Sequence, residues 1–204
     1  MSKIKKYHSV KLIIGFIFNN ETALRKAKSY LKKYFGQIDF ESIVLPFIHS
    51  DYYDKEFGKN LKRQFISFQK LINAERLADI KIISNKIEEK LAINHRLREM
   101  ELTPLPRRGD SFLRKQEGGA VFNPRSINID PGYLDMAKLI LATTKDFVHR
   151  IYLKKGIFSE VTLFYRDKSF SPWEWSYPDY KTKEYLSIFN QIRTIYAQQT
   201  KNLY

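Results

Sequence analysis

The stretch Val10–Phe18, VKLIIGFIF, constrains the fold more than any other part of this 204-residue chain. It is apolar, largely β-branched or aromatic, and too short to span a bilayer, so it predicts a buried strand. Asn20-Glu21-Thr22 then supplies capping chemistry for a helix over about Glu21–Phe35. In it Leu24, Ala27, Leu31 and Phe35 recur at helical spacing before Gly36 ends the element. Phe40–Ile48 reads as a second strand, with Pro46 marking an edge or a bend. The opening is therefore strand–helix–strand. The basic segment Met1–His8 leads into no small-residue cleavage site, so the expectation is a soluble, cytoplasmic protein without a secretory signal.

Further along, Asp51–Gly58 forms a turn or short helix crowded with acids and tyrosines. Arg63–Leu71 suits a strand, with a helix as the alternative. Asn73 can cap a helix to about Ala92, in which Leu77, Ile80, Ile83 (or Ser84), Ile87 and Leu91 form an apolar stripe. From His95 to Pro124 the character changes: three of the eight glycines and three of the seven prolines fall there, with several arginines. We expect a mobile insertion there, about residues 97–122, and favour decoration over a functional lid. Ser126–Asp130 predicts a short strand turned by Asp130-Pro131-Gly132. Lys138–Thr144 is a strand or helix end, and His149–Leu153 with Ile157–Tyr165 forms a hairpin around Lys154-Lys155-Gly156. Strict alternation puts Glu160, Thr162 and Phe164 on one face, and Val161, Leu163 and Tyr165 on the other. A last amphipathic helix runs over about Thr182–Gln199, with Tyr185, Ile188 (or Phe189), Ile192 and Ile195 (or Tyr196) buried. These elements make a single α+β domain over residues 1–204. Its sheet is mixed or largely antiparallel, of about five to seven strands, with about three covering helices.

Composition narrows the chemistry. An apolar fraction of 43% with 15% aromatics rules out a disordered chain. The absence of cysteine removes disulfides, thiolate nucleophiles and cysteine-ligated metal centres. A net charge of +14 fits an anionic ligand or nucleic acid. The lysines are dispersed and no arginine-rich tract exists, so the nucleic-acid binding expected from charge is weak and non-specific. A lysine-rich surface without any such partner accounts for the charge equally simply.

The standard catalytic motifs are missing. No glycine-rich phosphate loop follows the first strand, and Asn85-Lys86 with Glu88 reads as a solvated helix face rather than a guanine-reading motif. No H-E-x-x-H cluster or G-x-S-x-G elbow occurs, and His8, His49, His95 and His149 are far apart in sequence. What stands out is the C-terminal third, where ionisable side chains interrupt stretches that should be buried. A polar site walled by apolar groups needs that mixture. Asp130, His149 and Glu160 are the candidate acid–base groups. Arg125, Lys145, Arg150, Tyr177, Asp179 and Tyr180 are the candidate ligand-binding groups. A Lys145/His149 pair suits an anion such as phosphate, with Arg125 or Arg150 adding a bidentate contact. A hard cation on Asp130, Asp146 and Glu160 competes with plain turn capping by the same residues, so metal and cofactor stay open. Trp173, Trp175, Tyr177 and Tyr180 either wall a base or sugar or pack a loop onto the core.

Two long strings carry a resemblance: Asn128-Ile-Asp-Pro-Gly-Tyr-Leu134 and Lys138-Leu-Ile-Leu-Ala-Thr-Thr-Lys-Asp-Phe-Val-His-Arg-Ile-Tyr-Leu153. Glu160-Val-Thr-Leu163, Tyr177-Pro-Asp-Tyr180 and Asp51-Tyr-Tyr53 extend it. From about Val10 to Gln199, outside the insertion, the chain resembles an uncharacterised bacterial family of domain-of-unknown-function proteins. The resemblance implies no established activity; some members carry the label GTP-binding protein. The leading reading is a site for a phosphorylated or nucleotide-like ligand, with hydrolysis as the candidate chemistry. The alternative is a non-enzymatic RNA-binding or assembly protein that uses the basic surface and the aromatic loop.

Overall fold

The computed structural model describes residues 7–48, 60–102 and 126–201, with side chains of the second helix followed as far as residue 93. In chain order the elements are β1 (Lys11–Phe18), α1 (Glu21–Phe35), β2 (Ile38–Glu41), β3 (Leu45–Pro46) and β4 (Lys62–Phe68). There follow α2 (Leu77–Leu102), β5 (Ile127–Leu134), β6 (Lys138–Thr143), β7 (Ile151–Lys154), β8 (Ile157–Arg166), β9 (Ser169–Pro172) and α3 (Lys183–Thr200). The strands build one nine-stranded sheet in the order β2-β4-β1-β5-β6-β8-β7, with β3 also on β4 and β9 also on β8. Every pairing is antiparallel.

β1 is an interior strand between β4 and β5 and is buried on both faces along its whole length. Leu12, Ile14, Phe16 and Phe18 meet Leu24, Ala27, Leu31 and Phe35 of α1 and Leu77, Ile80, Ile87 and Leu91 of α2. On the opposite face Ile13 joins Phe65, Leu141, Leu163 and the buried stripe of α3. Each such side chain contributes roughly 1.5–3 kcal/mol by leaving water. Two helices therefore cover one face and one helix the other. Asn20 caps α1 by accepting from the Thr22 and Ala23 amides, and Thr182 caps α3 through the Tyr185 amide.

Five expectations need correction. Phe40–Ile48 is not one strand but is split into β2 and β3 by a break at residues 42–44, with Pro46 in the short β3 pairing, in keeping with the edge or bend expected of it. The sheet has more strands than expected because Asp167 and Lys168 adopt positive φ (52° and 65°) and fold β9 back on β8 without a glycine. Asp130-Pro131-Gly132 makes no turn; β5 runs straight through it. Alternation in β8 fails at Thr162, where a bulge opposes Leu139 to Leu163 and Ile140 to Val161. Val161 therefore packs against the two-helix face and Leu163 against α3. The helix capped near Asn73 runs on to Leu102. The rest of the expected insertion, like Asp51–Gly58, lies outside the described residues.

Candidate functional site

The sheet splits where β5 and β6 part. They pair only at Gly132–Leu141, Tyr133–Ile140 and Leu134–Leu139. Beyond that point β5 stays on β1 as far as Ile127, while Ala142 and Thr143 of β6 follow β8. The vertex of the split demands glycine, because a Cβ on Gly132 would lie 2.4 Å from the Ile140 carbonyl oxygen. In an antiparallel strand the backbone N–H and C=O of one residue point to the same side. Those of Ile129 face the gap, and α2 supplies the partners: Glu88 Oε1 accepts from the Ile129 amide at 2.6 Å, and Lys81 Nζ donates to the Ile129 carbonyl at 3.0 Å. By the same parity Pro131 turns its missing N–H toward the gap, where no ladder bond is lost. Two charged side chains thus stand in for the departed strand.

The split opens a cavity of about 630 Å³, walled by α2 on one side and by the Tyr177–Tyr180 loop on the other. Asn128, Asp130, Ala142, Thr143 and Lys145 line it from the parted strands, and Lys81, Asn85, Glu88 and Ala92 from successive turns of one α2 stripe. Asp130, a quarter of whose side chain is exposed, accepts from Asn128 at 2.6 Å and lies 3.4 Å from Lys81 Nζ and 3.5 Å from Arg63 Nη1. Arg63 reaches it across Gly15, where a Cβ would sit 3.1 Å from the guanidinium. The guanidinium is buried, lies 4.8 Å from the Phe65 ring centroid and donates to the Tyr180 hydroxyl. Burial opposes its charge, but Tyr180, Tyr185, Asp179 and Asp130 outweigh that and hold its pKa above the ordinary arginine value. Burial likewise pushes the Tyr180 hydroxyl well above the usual tyrosine range, against the pull of Arg63.

A second polar group backs the far wall. Glu160, 3% exposed, lines the cavity, and its Oε2 accepts from Arg150 Nε at 2.8 Å and meets His149 Nε2 at 3.1 Å. Arg150 also donates to the Lys145 carbonyl at 3.0 Å and to the Tyr177 hydroxyl at 2.6 Å. Burial works against its charge, and Glu160 and Tyr177 raise its pKa nonetheless. For Tyr177, burial and the Glu160 charge push the hydroxyl up while Arg150 resists.

Of the residues singled out from sequence, Asp130, Lys145, Glu160, Tyr177, Asp179 and Tyr180 all line this one cavity. His149 and Arg150 stand behind it, held to its wall through Glu160. Arg125 lies outside the described residues. Asp146 is exposed and does not line the cavity, and among the described residues no group of three or more His, Asp or Glu could hold a metal ion. Arg63, Lys81, Asn85, Glu88 and Asn128 were missed as site residues. The segment around Asn85-Lys86 is not simply the solvated face expected of it: Glu88 is 4% exposed, Asn85 is half-buried, and the more exposed Glu89 also lines the cavity, while Lys86 and Lys90 are exposed and do not. The usable signal was Lys81, Asn85 and Glu88 at helical spacing, directly beside the apolar stripe.

Fold and cleft together define a three-layer α+β protein with a polar pocket built into a parted antiparallel sheet. The family model for a domain of unknown function, DUF4416, matches residues 8–105 and 113–196, and the chain belongs to that family. Neither the curated proteins nor the solved structures contain a match. Among the described residues no helix is long and apolar enough to cross a membrane.

Proposed function

We propose that the cleft between β5 and β6 binds a small phosphorylated, nucleotide-like molecule. The observation that carries this reading is the lining itself: about 630 Å³, with cations, carboxylates, amides and tyrosine rings converging from both layers. That volume suits a nucleotide or sugar phosphate. The Arg63–Asp130–Lys81 and Arg150–Glu160–His149 groups are already paired with one another, so the walls are preorganised and little side-chain order is lost on binding. Lys145 offers a positive charge at the strand end for phosphate. Asp130 and the Asn85 and Asn128 amides offer acceptors and donors to the hydroxyls or base edge of the ligand. If the site hydrolyses its ligand, Asp130 is a partly exposed lining carboxylate able to take a proton from water, while Glu160, bound by Arg150 and His149, orients the Tyr177 side of the wall.

A thermal-shift series with GTP, ATP, ribose 5-phosphate and inorganic phosphate tests this. A true ligand at 100 times its dissociation constant adds about 2.7 kcal/mol, or roughly 5–10 °C for a chain of this size. Lys145→Ala should remove that shift and leave the ligand-free melting temperature where it was. If no phosphorylated compound stabilises the protein at millimolar concentration, the reading is wrong.

A further inference from the structure

We propose that the aromatic surface beside the cleft is a stacking platform for a short single-stranded nucleic acid whose terminal nucleotide enters the cleft; the inference rests on the cleft taking a nucleotide-like ligand. Rings run in an unbroken ladder away from the cavity wall. Phe147 meets His149 edge-on at 5.3 Å, His149 stacks on Trp175 at 5.6 Å and 16°, and Trp175 stacks on Trp173 at 5.0 Å and 9°. Trp173 then contacts Phe164 at 4.4 Å, and the Arg166 guanidinium lies 5.2 Å from the Phe164 centroid.

Core packing does not account for this ladder. None of its rings belongs to the apolar clusters on either face of the sheet. Trp173, Trp175 and Phe147 are 37%, 42% and 60% exposed. Near-parallel planes with centroids this far apart are offset, so part of each indole face stays uncovered. The ladder is continuous with the cleft, because His149 is one of its rungs and also binds Glu160, a lining residue.

Charge selects the occupant. Arg166, which also pairs with the exposed Asp167 at 3.4 Å, closes one end of the ladder, Lys181 Nζ is held on the carbonyl of Glu174, the residue between Trp173 and Trp175 in the chain, and Lys145 lies at the cleft. A neutral glycan would use the rings and have no need of these cations in a chain of net charge +14. A base–phosphate chain uses both, with rings stacking bases of any sequence and cations following the backbone.

The test uses fluorescein-labelled hexauridylate and oligo(dT)6, with unlabelled UMP as the single-nucleotide probe. Binding is followed by anisotropy and, for UMP, by thermal shift. Both hexamers should bind at least about tenfold tighter than UMP and weaken steeply between 50 and 200 mM salt. Trp175→Ala and Trp173→Ala should each weaken hexamer binding about fivefold or more and leave UMP stabilisation intact. Trp175→Phe should restore most of the loss, and a double Arg166→Gln, Lys181→Gln variant, which removes no ring, should flatten the salt dependence. A preference for hexauridylate over oligo(dT)6 would assign the platform to RNA, and the reverse to DNA. If UMP stabilises the protein but the hexamers bind no tighter, the platform is refuted and the cleft reading survives. If neither binds, the platform is refuted as well, and the cleft reading is decided by the wider series of phosphorylated compounds. Hexamer binding indifferent to loss of the indoles would show that charge alone is at work. Displacement of the hexamers by a neutral hexasaccharide would make the ladder a glycan platform. Either result overturns the proposal.

Discussion

Replacing Glu160 by Gln isolates the charge that holds the cleft wall together. The amide keeps the shape and one acceptor oxygen, so what disappears is the negative charge facing Arg150, whose side chain is 8% exposed against 2% for Glu160. Breaking a buried pair by neutralising one member costs about 3–5 kcal/mol when the other is stranded. Arg150 is not fully stranded, since it retains the Tyr177 hydroxyl and the Lys145 carbonyl. We therefore expect a loss of about 2–3 kcal/mol, a fall in melting temperature of roughly 4–12 °C for a protein of this length. Arg150→Met should be similarly destabilising, because it leaves Glu160 with His149 and Thr162 alone. The double variant removes both charges and should lie within about 2 kcal/mol of wild type. Urea denaturation of the four proteins gives the coupling energy, expected to exceed about 1.5 kcal/mol. A coupling below about 0.5 kcal/mol would mean that the pair behaves as a solvated surface bridge, and the argument for a preorganised wall would fail.

Three further outcomes follow from the same geometry. Gly132→Ala should destabilise by about 1–3 kcal/mol, because the new Cβ meets a backbone oxygen that cannot swing away, and its melting curve tests this. Asn20→Ala should lower stability by about 1 kcal/mol through loss of the α1 cap, read from the same kind of curve. Burial opposes the Asp135 charge, but Tyr7, the Ala137 amide and Lys138 outweigh it and hold its pKa below the usual aspartate value. That stabilisation is complete above the unfolded-state value near pH 4 and is lost as pH falls through the lower folded-state value. Urea unfolding of Asp135→Asn against wild type should therefore show a gap at neutral pH that closes toward pH 2.

The elements that sequence reasoning recovered are those whose signals are local. α1 is bounded by Asn20 and Gly36, α3 carries its stripe of Tyr185, Ile188, Ile192 and Tyr196, and the β7–β8 hairpin turns on Lys155 and Gly156 with positive φ. What it missed depends on partners distant in the chain. Asp130-Pro131-Gly132 carries every mark of a turn, and only the departure of β6 lets a proline lie inside β5 at no loss. The bulge at Thr162 has no residue signature, because the register of β6 sets it. Arg63 looks like a charge at the end of a strand. It becomes a buried contact to Asp130 only because Gly15, on the intervening strand, leaves the path open.

The cleft shows the same division, and it explains why the acidic and basic residues of α2 were assigned to solvent. A polar stripe beside an apolar one ordinarily faces water. Here it faces an opened ladder, and the Ile129 peptide would be orphaned without Glu88 and Lys81. Burying that peptide unpaired would cost about 1–3 kcal/mol for each group, so a sheet that parts in its middle requires a charged helix face over the gap. The polar residues of the C-terminal third and those of α2 are thus two halves of one arrangement. The strands part to open the cavity, the helix supplies the missing backbone partners, and the charges this brings inside give the cavity its polar lining. Departures from ordinary strand rules gather at this one location, which is where a functional site is expected in a chain otherwise consistent with its fold.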